Sequence, residues 1–319
     1  MVPPFELLTT IRSLRSGARR ALALAIGLLA AAPVGADRPP IPVVATIEPL
    51  GMLVRELGGE RVAVTVLVPP GASPHTFEPQ PSDLTRLGDA QLLVEVGGHF
   101  DAWIARLRQA ASNRTPVLTI LTLPGLEPLP AETAPPDARP AAPASATDPH
   151  VWLDPLCVRD VIAPALSARL ADLDEPARAF YAAHLASFRS RLTELDHEIR
   201  AQLAGPRRSY VAFHPAWRYF GARYELDEIG VVERWAGEGP TPRELASLVT
   251  AAEKARIPAI LIEPQLDPRV ARTLAREFGA TVVLVDPNGD PADPERTRYL
   301  DLMRWNARAF ARALGGSEP

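Results

Sequence analysis

A single cysteine, Cys157, in a chain of 319 residues leaves no partner for an intramolecular disulfide. Stability must then come from ordinary hydrophobic cores, which about 280 residues arranged in two lobes can supply. Long apolar runs are missing too. The candidate, ALALAIGLLAAA over Ala21–Ala32, spans 12 residues where a membrane helix needs roughly 20. It follows Arg12, Arg15, Arg19 and Arg20 and precedes the small residues Val34, Gly35 and Ala36, the pattern of a cleavable secretory signal peptide over residues 1–36. No cysteine adjoins that cleavage site, so a lipid anchor is not available, and a periplasmic monomer with no direct membrane anchor is expected. An excess of positive charge is also lacking. Losing the four arginines and one glutamate of the leader takes the formal charge from −4 to −7, which argues against nucleic acid and anionic membrane surfaces as partners.

What is present alternates. Strand-like runs at Val43–Ile47, Val62–Leu67, Leu92–Val96 and Val117–Ile120 interleave with helical stretches at Pro49–Leu57 and Pro81–Leu87. In the second half, runs at Tyr210–Phe213, Ala259–Ile262 and Thr281–Val285 interleave with Pro242–Lys254 and Pro268–Phe278. Such alternation predicts an α/β fold with parallel sheets. Between the halves, Pro176–Leu203 has no internal glycine or proline after its first residue. It carries Phe180, Leu185, Phe188, Leu192, Leu195 and Ile199 at helical spacing. The expected organisation is an N-terminal lobe over 40–172, a rigid linking helix over 176–204 and a similar C-terminal lobe over 208–319. Leu123–Thr147, rich in proline and alanine and free of histidine, reads as a solvated excursion.

Histidine is scarce, with six in all. Three of them, with one aspartate, each end an apolar run or sit in a proline-bounded turn: His75 in PPGASPHTFEPQP, His150 in ATDPHVWLDP, His214 in YVAFHPAWRYFG and Asp286 in TVVLVDPNG. They lie 75, 64 and 72 residues apart, so only a fold could collect them. Taken singly, each is ordinary: a hydrogen-bonded core or turn histidine, or an aspartate in turn chemistry before proline. Taken together, three imidazoles and a carboxylate make a closed four-ligand set suited to Zn²⁺.

The segments around these residues resemble the metal-binding subunits of bacterial ABC importers, the high-affinity zinc and manganese substrate-binding proteins. The matching blocks are Val68–Ile104, Asp148–Pro155 (DPHVWLDP), Ala212–Leu226 and Leu261–Gly289, in order, within a resemblance running from about Ile41 to the C-terminus. It implies two lobes joined by a backbone helix and metal in the cleft between them. The implied ligands are His75, His150, His214 and Asp286, and the implied partner is an inner-membrane ABC permease. In that family a histidine at the third ligand goes with zinc and a glutamate with manganese, so His214 implies zinc, with a manganese or mixed-metal carrier as the alternative. The histidine-rich loop of many zinc members is absent here. Glu78 and Glu263 stand as hydrogen-bond acceptors for ligand imidazoles or as turn formers, and Trp152 and Trp217 as apolar walls. Cys157 reads as a small apolar residue rather than a thiolate ligand. A periplasmic zinc hydrolase is the rival of a different class. It needs an open metal position and a general base, and no HExxH helix supplies one. With unperturbed imidazoles, metal affinity would fall steeply below about pH 6.

Overall fold

The computed structural model describes residues 38–111, 114–130, 147–233, 239–277 and 279–315. The expected signal peptide (1–36) and residues 131–146 of the proline-rich excursion lie outside them. In the first half, proline- and glycine-bounded apolar runs form β1 (Ile41–Ala45), β2 (Val62–Val66), β3 (Leu92–Glu95) and β4 (Val117–Thr119). Between them run helices α1 (Glu48–Gly58), α2 (Pro81–Gly88) and α3 (Trp103–Ala110). Helices α4 (Ala163–Leu173) and α5 (Arg178–Gln202) follow. The second half holds β5 (Ser209–Ala212), α6 (Arg218–Tyr224), β6 (Asp227–Val231), α7 (Pro242–Ala255), β7 (Ala259–Ile262), α8 (Pro268–Glu277), β8 (Thr281–Leu284) and α9 (Tyr299–Ala313).

Each lobe is built on a four-stranded, wholly parallel sheet, and the two share one strand order: β2-β1-β3-β4 and β6-β5-β7-β8. Central strands such as β7 (AILI) are buried throughout, as expected where helices cover both faces. Strand order reverses between β1 and β3 and again between β5 and β7, and open α/β sheets bind ligands beyond the carboxyl ends of strands at such points.

The linking helix, α5, has 25 residues, about 37 Å at 1.5 Å per residue. Its buried stripe is Tyr181, Phe188, Leu192, Leu195 and Ile199. The sequence pattern put Phe180 and Leu185 in that stripe, but Tyr181 takes the inward position. Phe180 instead sits at the flank, its ring stacked 4.1 Å from His184. The sequence pattern does not mark α3, α4, α6, β6 or α9. β6 opens on two acidic residues and borders the sheet, so it lacks an apolar run. The C-terminal helix α9 inserts Tyr299, Leu302, Met303, Ala307 and Phe310 into the interior.

One continuous core joins β1 through Leu314 and includes the stripe of α5 and the inner face of α9, while a smaller cluster lies among β5, β7, α7 and α8. Polar ties cross between the halves as well. Trp152 Nε1 donates to Pro287 O at 2.8 Å, and Tyr299 donates to Trp152 O at 2.6 Å. Arg223 grips Asp154 through two bonds of 2.8 and 2.7 Å. The lobes are thus packed onto a shared rod rather than hung on a flexible strand.

Leu192→Ala empties a fully buried position on that rod. It should cost about 2–5 kcal/mol and lower the midpoint of one shared thermal transition. Differential scanning calorimetry that resolved two transitions, only one of them shifted, would show the lobes unfolding separately.

Candidate metal centre

His75 lies in the turn Pro74–Thr76, beyond β2. Trp103 Nε1 donates to Pro74 O at 3.3 Å and ties that turn to α3, while Phe100 meets the His75 ring edge-on at 4.7 Å. Phe100 is itself held by its neighbour. The buried Asp101 carboxylate accepts the Val96 and Gly97 N–H groups and the Thr46 hydroxyl, fixing the loop after β3. His150 enters a short helical turn at Val151–Leu153. Asp148 Oδ1 accepts both its backbone N–H and its ring Nδ1–H, each at 2.9 Å, which leaves Nε2 as the nitrogen with a free lone pair. His214 follows β5 by two residues, at the carboxyl edge of the C-terminal sheet, and is 8% exposed.

The fold brings these three histidines together. His75 Nε2 and His214 Nε2 stand 3.1 Å apart, and one ligand atom from each of the three residues falls within 4.8 Å of the others. Four bonds of roughly 2.0–2.1 Å meeting tetrahedrally at zinc would space ligand nitrogens about 3.3 Å apart. The pocket they share with Ser73, Phe100 and Glu263 leaves about 10 Å³, room for one small ion or a water. A much larger groove of about 790 Å³ lies elsewhere, between α1, α5 and residues 291–298. Its guanidiniums, Arg55, Arg191 and Arg298, are already paired with Glu48 and Glu56.

Asp286 is not brought into the histidine cluster. Its Oδ1 accepts the N–H groups of Asn288 and Gly289, and its Oδ2 pairs with Arg296 at 2.6 Å. That is the turn chemistry an aspartate before proline commonly performs, here closed by a guanidinium. Glu78 is exposed and away from the pocket lining, so it does not support a ring nitrogen. Cys157 also stays apart: burial, then the charge of Asp154, pushes its thiol up to about 12. Trp152 lies 5.3 Å from His150 as an apolar wall, whereas Trp217 packs deeper against Phe220 and Phe310. The sequence reading passed over Asp148 and Phe100. The Asp-Pro-His spacing carries a signal for Asp148, because a carboxylate two residues before a histidine can reach both its N–H groups.

Electrostatics keep His75 and His214 neutral. Burial first, then the charge of His150, pushes His75 down to about 3. Burial, with His75 and His150 opposing a positive charge, holds His214 well below 6.5. Imidazoles that stay neutral in the folded protein compete less with protons for metal than unperturbed ones. The acid limit expected from sequence therefore moves lower.

Known proteins resemble the chain over most of its length. The family model described as zinc-uptake complex component A, periplasmic (ZnuA), matches residues 43–313. The chain is 28% identical to the high-affinity zinc uptake system protein ZnuA of Paracoccus denitrificans, over 92% of this chain and 97% of that one. It is 27% identical to the manganese-binding lipoprotein MntA of Halalkalibacterium halodurans, over 85% of this chain and 88% of that one. A crystal structure of ZnuA superposes with a TM-score of 0.75 at 30% identity, covering 86% of this chain and 99% of that one.

Three outcomes follow from the geometry. Asp148→Asn removes the carboxylate that fixes the His150 tautomer and should weaken zinc binding by about 10–100-fold, as measured by competition titration. For acid stability, the unfolded chain takes up protons at His75 below about pH 6.5 while the fold resists them down to about 3. More protons are then bound in the unfolded state, so the melting temperature of metal-free protein should fall as pH drops through that window. Zinc affinity between about pH 7 and 5 should decline less steeply than unperturbed imidazoles would give. Affinity that collapses just below pH 6 would contradict the lowered proton affinity of His75 and His214.

Proposed function

The chain belongs to the ZnuA family of periplasmic zinc-uptake components, and on that premise we propose that it captures Zn²⁺ between its lobes and hands it to an inner-membrane ABC permease. Members of this family are metal-binding substrate-binding subunits of ABC metal importers, not enzymes, and they act in the periplasm or outside the cell. Among the described residues no helix is long and apolar enough to cross a membrane. A secreted monomer released from a cleavable leader at 1–36 is part of the same proposal.

The observation that carries the reading is the convergence of His75, His150 and His214 from two lobes on one ion-sized space. We take these three imidazoles as the metal's nitrogen ligands, with one carboxylate from the C-terminal lobe closing the site. Asp286, expected in that place from sequence, pairs with Arg296 in this structure. The relatives are named for zinc in some cases and for manganese in others. His214 favours zinc, because a third borderline nitrogen suits Zn²⁺ whereas a hard carboxylate oxygen at that position would favour Mn²⁺. The matching family and relatives are described as metal-uptake and metal-binding proteins, which speaks against a zinc hydrolase.

Titration should give one Zn²⁺ per chain. His75→Ala, His150→Ala and His214→Ala should each weaken binding by more than about tenfold, since even supporting residues cost that much. His214→Glu should raise Mn²⁺ affinity relative to Zn²⁺. A histidine variant with unchanged affinity would remove that residue from the site, and an unchanged metal ratio in His214→Glu would sink the assignment of selectivity.

A further inference from the structure

Resting on the metal-carrier reading above, we propose that Tyr219 and Arg223 are positioning residues for metal capture. From one face of α6 they clamp both ends of the His150 turn and hold that histidine in register with His214. The two stand four residues apart on the helix, so their side chains leave it on the same side. α6 is itself coupled to His214. The Ala216 N–H donates to His214 O at 2.9 Å and the Gly221 N–H to Trp217 O at 2.7 Å, so hydrogen-bonded backbone runs from the histidine into the helix.

The clamp closes on two aspartates that bracket His150. Ahead of it, the Tyr219 hydroxyl donates to Asp148 O at 3.3 Å while accepting the Leu129 N–H at 2.9 Å. The Asp148 N–H donates to Leu129 O at 2.9 Å and completes a ring of three bonds. Tyr219 is 5% exposed, and burial pushes its phenol up to about 12, so the proton it donates stays in place. That ring fixes the backbone of the residue whose carboxylate orients the His150 imidazole. Beyond His150, Asp154 accepts Arg223 through both oxygens, at 2.8 and 2.7 Å, and its Oδ1 also accepts the Leu156 N–H. Two-point pairing of a guanidinium with a carboxylate resists rotation as well as separation. Both aspartates belong to the first half of the chain, and both grips come from the second. A ligand turn held at its two ends by the helix that follows another ligand has less freedom to lose when the ion arrives.

Zinc titration of hydroxyl-deleted variants gives the test. Tyr219→Phe keeps the ring and removes both hydroxyl bonds. Zinc affinity should fall by about tenfold, the lower end of what supporting residues cost at metal sites, with faster release to a competing chelator. Arg223→Lys replaces the fork by a point charge and should weaken binding in the same direction. Tyr181→Phe removes another buried hydroxyl, one that bonds Asp174 instead, and should leave zinc affinity unchanged whatever it does to the melting temperature. A double-mutant cycle separates positioning from general loosening. In the Asp148→Asn background, where the carboxylate's hold on His150 is already lost, Tyr219→Phe should cost little more. Parent affinity in Tyr219→Phe, a full further loss in the Asp148→Asn background, or an equal loss in Tyr181→Phe would each overturn the proposal. His150→Ala, run in parallel, tells the two levels apart. If it loses zinc while Tyr219→Phe does not, the clamp fails and the metal-carrier reading stands. If neither loses zinc, both fail.

Discussion

Three imidazoles from two lobes meet in one ion-sized space, with His75 and His214 within hydrogen-bonding distance of each other. Everything around them is arranged to hold that posture. Two ring nitrogens stay 3.1 Å apart only because each histidine is anchored from behind: His75 by its turn, tied through Trp103, His150 by Asp148, and His214 by the buried end of β5. Those anchors belong to different lobes, so their spacing depends in turn on the core that runs from β1 through α5 to α9. If the lobes swung freely, the cluster would relax apart. The rigid rod is therefore a condition of the site as much as of the fold.

The same logic bears on metal choice. A preformed, tight nitrogen cluster penalises ions that demand more ligands or longer bonds, while a tetrahedral d¹⁰ ion meets it without distortion. Selectivity then lies in geometry and donor type together. A histidine-rich loop near the site is not required for it.

Much of this was legible in the sequence. Seven of the eight strands among the described residues announce themselves as apolar runs between prolines and glycines, and the three histidines stand at their ends or in adjoining turns. β6 and α9 were harder to see: the first has few apolar residues because it borders a sheet, and the second follows a long irregular turn with no strand after it. The fate of Asp286 was not readable at all. Its pairing depends on Arg296, ten residues on, and nothing in the local string tells a metal-bound aspartate from one closed by a guanidinium. Asp148 could have been found from its spacing to His150.

Pro130 and Thr147 pair as a bridge, and Asp148 N–H donates to Leu129 O beside them, so the chain departs and returns at one spot. The segment before the bridge is anchored to the other lobe, where Tyr219 accepts the Leu129 N–H and Arg218 donates to Pro130 O. Everything downstream, including Asp148 and His150, is therefore indifferent to what fills positions 131–146. Closing a longer loop costs only about 0.6 kcal/mol per doubling of length. The bridge makes this position an exchangeable slot: an insertion of any composition can be gained, lost or rewritten there over generations, or placed there by an engineer, while the metal-binding geometry a few residues away is inherited intact.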